Sequence, residues 1–155
     1  MIPIKEAINA GTWLYCEYTD TRHDEIYPFR IKILSFRKLN LKEVDNPEGL
    51  DLKDEGTIIW IMNLEAINIR KEPVSPTYSL DQLILMDQDG FKFHVFYDSH
   101  LRCWSDFAEK SKLRRFWGSD LIPKIKAIGA IPFQLPDDDE AIYSISMKEG
   151  SIREV

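Results

Sequence analysis

Residues 83–99 read LILMDQDGFKFHVFYDS, which consists of two apolar segments on either side of an Asp-Gly pair. Asp89-Gly90 is typical of a two-residue hairpin turn, because glycine adopts positive φ without steric cost. With this loop, Met86 faces Phe93 on the opposite strand, and the other pairs follow from the loop length. The stretch therefore predicts a β-hairpin.

The predicted register creates an almost wholly apolar row on one face of this hairpin. The row consists of Phe91, Phe93, Val95 and Tyr97, with Ile84 and Met86 opposite them. Such a row has to be covered by other parts of the chain. A slip of one residue would move the row to the other face, so we expect a well-defined register within an antiparallel sheet.

Several other segments alternate apolar and polar residues, as half-buried strands do. The predicted strands are 12–19, 26–39, 57–70 and 141–147, and the third contains a continuous apolar run at 58–62 that is typical of a central strand buried on both faces. Residues 4–10 are predicted to form a short helix that ends at Gly11. Residues 121–135 contain several prolines, so we expect an irregular segment there with one short strand at 124–128.

A longer helix is predicted over about 99–117, where apolar or small residues recur at the spacing of one helical face. The residues that share this face are Leu101, Trp104, Phe107, Ala108 and Ser111. Gly118 provides a natural end for the helix. We therefore expect an α+β fold, in which a curved, mainly antiparallel sheet of about five to seven strands packs against this main helix.

The length of 155 residues is sufficient for one domain with a buried core, and no repeat or linker divides the chain. A composition that is 44% hydrophobic and 30% charged is typical of folded rather than disordered proteins. We expect a single globular domain over 1–155, in which 148–155 form a loose tail.

The cellular compartment is predicted from the N-terminal sequence and the cysteines. The sequence MIPIKEAINAG lacks the basic start and long apolar stretch of a signal peptide, and no stretch is long enough to cross a bilayer. The two cysteines, Cys16 and Cys103, do not form a disulfide framework. These features predict a cytoplasmic protein with reduced thiols and no membrane partner.

The net charge of −6 argues against general nucleic-acid binding but is compatible with a local basic patch. Residues 101–126 contain seven basic and three acidic residues, so this segment carries +4 and the remaining chain −10. This uneven distribution affects how charged partners are attracted more than it affects the fold.

Cations and aromatic rings occur together in the sequence KSKLRRFW, which ends at Trp117. The candidate binding residues are Lys110, Lys112, Arg114, Arg115, Phe116 and Trp117. Such a cluster suits contacts to phosphates and bases, and it is also typical of protein interfaces. A solvated helix face, with its cations near the C-terminal end, is the structural alternative. Nucleic-acid association through the patch 110–126 is therefore one alternative function.

His94, Asp98 and His100 lie close together in sequence and could bind a metal ion in a hydrolase. The favoured interpretation is that Asp98 or Ser99 caps the predicted helix while both histidines serve no catalytic purpose. The chain contains no phosphate-binding loop, dinucleotide fingerprint or nucleophile elbow. We therefore predict no cofactor, and a metal-dependent hydrolase is the second alternative.

Acidic residues cluster in two predicted surface loops. The residues expected to steer a partner are Asp51, Asp54, Glu55, Asp137, Asp138, Asp139 and Glu140. Their charge would attract a basic protein, although most acidic loops are simply solvated. The sequence therefore favours a non-catalytic protein-binding module of the inhibitor, immunity-protein or adaptor type, with an acidic surface directed at a basic partner.

Overall fold

The computed structural model describes residues 1–40, 42, 56–96 and 120–155, together with the backbone of 114–115. The described strands are β1 (Ile2–Pro3), β2 (Leu14–Asp20), β3 (Glu25–Lys38), β4 (Thr57–Asn68), β5 (Leu83–Met86), β6 (Lys92–His94), β7 (Arg114–Arg115), β8 (Lys126–Pro136), β9 (Ser144–Met147) and β10 (Gly150–Glu154). One α-helix, α1, spans Ile4–Ala10, and short 3₁₀ turns span Pro76–Tyr78 and Leu80–Gln82.

The strands form two sheets. One has the strand order β1-β9-β5-β6, and the other has the order β10-β2-β3-β4-β8-β7. The pairs are antiparallel except for β7 with β8, which is parallel. Apolar residues of both sheets form a shared core, so the sheets pack face to face as a sandwich. The fold is therefore mainly β, and the expected single sheet is wrong, whereas its antiparallel character is confirmed.

The core lies between the inner faces of the two sheets. On β4, buried residues alternate with half-buried ones except at Ile61 and Met62, whereas on β8 all residues from 129 to 133 are buried, so this part of the larger sheet is covered on both faces. The central core residues are Met62, Leu64, Ala66, Ile131, Phe133 and Leu135 of the larger sheet and Leu83, Leu85, Ile145 and Met147 of the smaller sheet. Removal of this apolar area from water is the main force that holds the sheets together.

The short helix predicted at residues 4–10 is confirmed as α1. Ile4 and Ala7 lie on one face of the helix and are buried in the core. Gly11 adopts a φ of 61° and donates its N–H to the carbonyl of Ile8 at 3.1 Å, which ends the helix.

The predicted hairpin forms, but its register differs from the prediction by one residue. Met86 faces Lys92 instead of Phe93, and Phe93 faces Leu85. The predicted apolar row is therefore wrong in part, because Phe93 no longer shares a face with Ile84 and Met86, and Phe91, next to the turn, is 66% exposed.

The side chain of Asp87 explains this shift. Its carboxylate accepts the backbone N–H groups of Asp89 and Phe91, both at 2.9 Å, so Gln88 becomes part of the loop. The loop thus has three residues rather than two, and Gly90 occupies its positive-φ position at 88°.

The irregular segment predicted at 121–135 is wrong for most of its length, since β8 pairs with β4 from Lys126 to Pro136. Pro132 is tolerated because its carbonyl accepts the N–H of Phe96 at 2.9 Å, on the side away from β4. The N–H that proline lacks would point to that same side. The ladder with β4 therefore loses no hydrogen bond.

The loose tail predicted at 148–155 is also wrong, because residues 150–154 form the edge strand β10 on β2. Ile152 of this strand packs against the core, and the N–H of Thr19 binds the carbonyl of Glu149 at 3.0 Å. The sequence of this segment is largely polar. It is nevertheless ordered, because it pairs with β2 along its whole length and because Ile152 packs against the core.

The main helix predicted over 99–117 lies outside the described residues except at 114–115. Those two residues form β7, which pairs with Gly129 and Ala130 of β8, so the helix prediction is wrong there. Pairing with a neighbouring strand overrides the helical periodicity at this point. The described residues contain no helix with the length and apolarity needed to cross a bilayer.

The close approach of β10 to β2 predicts a large effect of the substitution Gly150→Ala. A methyl group there would overlap the backbone carbonyl of Glu17, and the φ of 136° adds strain. We expect a loss of at least about 3 kcal/mol in the free energy of unfolding, measured by urea denaturation.

Gly90→Ala is the matched control, because Gly90 also has positive φ but no atom lies within 4 Å of the added methyl group. This variant should lose only about 1 kcal/mol. Equal losses for both variants would show that β10 does not pack on β2 as described.

Candidate functional site

A groove with a volume of about 480 Å³ opens beside α1. Its walls come from the first helix and from the segment that leads into β9, and its floor comes from β3 and β4. The residues that line it are Pro3, Ile4, Lys5, Ile8, Asn9, Phe36, Trp60, Asp139, Glu140, Ala141, Ile142 and Tyr143. We call this feature the α1 groove, and its volume is typical of ligand-binding sites.

The floor of the α1 groove consists of aromatic rings in mutual contact. Phe36 stacks on Trp60 with ring centroids 5.0 Å apart, and Tyr143 meets these two rings edge-on at 5.9 and 6.2 Å. Phe93 extends the cluster at 5.9 Å from Tyr143. These are favourable aromatic geometries, so the rings form a firm apolar surface.

A β-bulge in β3 places Phe36 on this floor. Before the bulge Ile33 faces Leu64, and after it Phe36 faces Met62, so one extra residue is accommodated on β3. Strict alternation from Ile33 would instead direct Ser35 towards the interior. The bulge thus reorients the end of the strand, as bulges near functional sites often do.

Lys38 follows Phe36 on the same face of β3 and connects the floor to an acidic segment. Its Nζ lies 5.7 Å from the ring centroid of Trp60 and forms ion pairs with Asp137 at 2.5 Å and Asp139 at 2.6 Å. Hydrogen bonds to these two carboxylates raise the pKa of Lys38. The ammonium group therefore remains charged at neutral pH.

Asp139 and Glu140 line one edge of the groove, and we call the acidic run 137–140 that contains them the acidic rim. The N–H of Asp137 binds the carbonyl of Gly56 at 2.8 Å, and the N–H of Glu140 binds the carboxylate of Asp138 at 2.9 Å. Together with Lys38, these bonds fix the position of the rim relative to the aromatic floor.

The acidic rim carries more negative charge than Lys38 balances. Within the described part of the chain, Asp138 and Glu140 form no ion pair. Burial, followed by the charges of Asp87 and Asp138, raises the pKa of Tyr143, so the field of the rim extends to the floor. This combination suits a cationic group on an apolar stem.

The sequence-predicted acidic residues are distributed over described and undescribed parts of the chain. All four residues of the rim are exposed, and Asp139 and Glu140 line the α1 groove. The other candidates, Asp51, Asp54 and Glu55, lie outside the described residues.

The basic-aromatic candidates lie almost entirely outside the described residues. These are Lys110, Lys112, Phe116 and Trp117, while Arg114 and Arg115 are described only by their backbone in β7. Lys126, the last residue of the predicted basic patch 110–126, lies on β8 and forms an ion pair with Glu65 of β4 at 3.5 Å.

Of the three proposed metal ligands, His94 alone lies within the described residues. His94 lies in β6 with an exposed side chain, and Asp98 and His100 lie outside the described residues. Elsewhere in the described ranges, no three histidine, cysteine or carboxylate side chains are grouped for a metal ion. Cys16 is buried and free, and burial raises the pKa of its thiol.

The sequence analysis did not identify the floor of the groove as a site. Trp60 occurs in a continuous apolar run that predicts a buried strand, and Tyr143 occurs in an ordinary alternating strand. The alternation before the bulge favours Arg37 rather than Lys38 on the inner face. No local sequence signal marks the bulge, so the link between Lys38 and the acidic rim could not be predicted.

Solved structures with a similar fold are known. The chain is similar to a secreted protein from Mycobacterium tuberculosis, MPT63, with a TM-score of 0.53 and 15% identity over 91% of this chain and 92% of that chain. At this identity, the similarity concerns the fold alone.

Two further structures are less similar. A conserved hypothetical protein from Bacillus anthracis has a TM-score of 0.48 and 13% identity, covering 91% of this chain and 96% of that chain. The ycdA protein of Bacillus subtilis has a TM-score of 0.49 and 15% identity, covering 82% and 36%. No protein-family model and no curated protein matches the sequence.

The contacts of Lys38 predict that Lys38→Met loosens the acidic rim without unfolding the protein. The free energy of unfolding should change little, since both carboxylates are largely exposed and water screens the ion pairs. Amide hydrogen exchange at Asp137 and Glu140 should accelerate several-fold, because the rim loses its ion pairs.

Lys126→Met serves as the control, because it removes an ion pair at the opposite end of β8 from the rim. Exchange at the rim should be unchanged in this variant. Unchanged exchange in Lys38→Met as well would show that Lys38 does not hold the rim.

Proposed function

We propose that this protein is a non-catalytic binding module that takes up a basic, partly apolar segment of a partner protein in the α1 groove. The observation that carries the proposal is the placement of an acidic rim directly beside an aromatic floor. An inhibitor, immunity-type or adaptor role is compatible with such a groove.

The floor supplies the apolar part of the interaction. Phe36, Trp60 and Tyr143 pack against one another, and such mutual packing reduces the ordering of side chains that binding requires. Ile4 and Ile8 of α1 extend the apolar surface along the helix. Aromatic side chains in a preformed pocket are typical anchors of protein interfaces.

The rim supplies attraction and selectivity. Lys38 neutralises part of the charge of Asp137 and Asp139, which leaves Asp138 and Glu140 available to a cationic side chain. Lysine and arginine combine an apolar stem with a charged end, so one residue can contact both the floor and the rim. Opposite charges also accelerate association at low salt.

The chemistry of the groove favours binding over catalysis. Its described lining contains no histidine, cysteine or serine, which most often serve as nucleophile and general base. Nucleic-acid association through 110–126, a hydrolase that uses His94, Asp98 and His100, and a cytoplasmic location stay predictions from the sequence.

Neutralisation of the rim should weaken uptake of a basic peptide. We expect a short, end-capped peptide of alternating lysine and leucine to shift the indole N–H resonance of Trp60 saturably. The double variant Asp138→Asn and Glu140→Gln should reduce the affinity by roughly fivefold or more, because it removes two charges at the edge of an apolar site. The salt dependence of binding should also decrease.

The matched control is Asp24→Asn with Glu154→Gln, which removes the same charge from exposed positions that do not line the groove. It should keep the affinity of the unmodified protein. A peptide in which glutamate replaces lysine should not bind. Equal affinities for the rim variant and the control would contradict the proposal.

A further inference from the structure

A second cavity, with a volume of about 260 Å³, lies at the turn between β2 and β3. It shares no lining residue with the α1 groove, and its walls contain both tyrosine rings and carboxylates. The residues that carry the inference are Tyr18, Asp20, Tyr78 and Glu149, all of which line the cavity.

The aromatic part of this cavity is a stack of tyrosines. Tyr27 and Tyr78 are nearly parallel, with centroids 5.0 Å apart, and Tyr18 lies 5.9 and 6.1 Å from these two rings. The guanidinium carbon of Arg70 lies 4.3 Å from the ring centroid of Tyr27. One ring of the stack therefore already binds a cation, whereas Tyr78 is 36% exposed.

The carboxylates add negative charge beside these rings. Asp20 is buried, and its position is fixed by the N–H of Arg22 at 3.1 Å and by His23, whose Nδ1 lies 2.8 Å from its carboxylate. The hydrogen bond from His23 lowers the pKa of Asp20, which keeps the carboxylate ionised at neutral pH. Burial, followed by the charges of Asp20 and Glu149, raises the pKa of Tyr18, so both carboxylates act on the same part of the cavity.

We infer that this cavity binds a small organic ammonium ion, with its alkyl groups against Tyr18 and Tyr78 and its charge near Asp20 and Glu149. Ring faces attract cations through their quadrupole, and the attraction increases when the cation is partly desolvated. A bare metal ion would require more carboxylate ligands than the cavity supplies. Arg22 and His23 also line the cavity, and His23 is already paired with Asp20, so the preference for a cation over an anion rests on Glu149 and the tyrosine rings.

Choline is a suitable probe because its carbon isostere, in which a tert-butyl group replaces the trimethylammonium group, has nearly the same shape without the charge. We expect choline to shift the ring proton resonances of Tyr18 and Tyr78 saturably at constant ionic strength. The isostere should produce no saturable shift at the same concentration. Equal binding of both compounds would overturn the inference, as would the absence of binding by choline.

Variants of Tyr78 and Glu149 separate the contribution of the aromatic ring to choline binding from that of the carboxylate. Tyr78→Leu and Glu149→Gln should each weaken choline binding by roughly fivefold. Tyr78→Phe retains the ring and should bind choline within about twofold of the unmodified protein. Glu154→Gln, in which an exposed glutamate of β10 outside the cavity is changed, should bind normally. Unaltered binding in Tyr78→Leu would place the choline site elsewhere.

Discussion

The continuous antiparallel ladder of β3, β4 and β8 supports both the core and the α1 groove. β4 pairs along nearly its whole length with strands on both sides, and its inner face carries the centre of the core. Because this ladder is long, a single bulge in β3 can change the direction of the side chains beyond it without loss of pairing. Phe36 and Lys38 reach the groove for this reason.

The ion pairs of Lys38 have a positional role more than a stabilising one. Exposed ion pairs contribute little to the free energy of folding, because water and salt screen them. Here they hold a turn of four consecutive acidic residues beside aromatic rings, where mutual repulsion would otherwise drive the carboxylates apart. The ion pairs thus hold charge and apolar surface side by side, an arrangement that would reduce the ordering needed for the proposed binding.

The parts of the fold that depend on local signals could be predicted from the sequence. Gly11 ends α1 as expected, and the sequence pattern predicts the three strands β2, β3 and β4, whose adjacency only the structure shows. The features that depend on distant contacts could not be predicted. Pro132 is compatible with β8 only because its carbonyl faces Phe96, and β10 is ordered only by pairing with β2.

The register of the hairpin could not be predicted for another reason. The carboxylate of Asp87 forms hydrogen bonds to the backbone of the loop, and these favour a longer loop than the expected two-residue turn.

The candidate site likewise combines features that the sequence shows with features that it does not show. The acidic rim is visible in the sequence as DDDE, whereas Lys38 as its counterion and Trp60 as its neighbour depend on a bulge that has no sequence signature. Composition can therefore suggest a basic partner, but the surface that we propose for it can be defined only from the three-dimensional structure.

The most direct measurement is a set of intermolecular nuclear Overhauser effects in the complex with the lysine–leucine peptide. The account predicts contacts between the leucine methyl protons of the peptide and the ring protons of Phe36, Trp60 and Tyr143. Contacts that instead involve the exposed residues Ile122, Ile125 and Ile128, with none to the aromatic floor, would contradict the assignment of the α1 groove as the binding site.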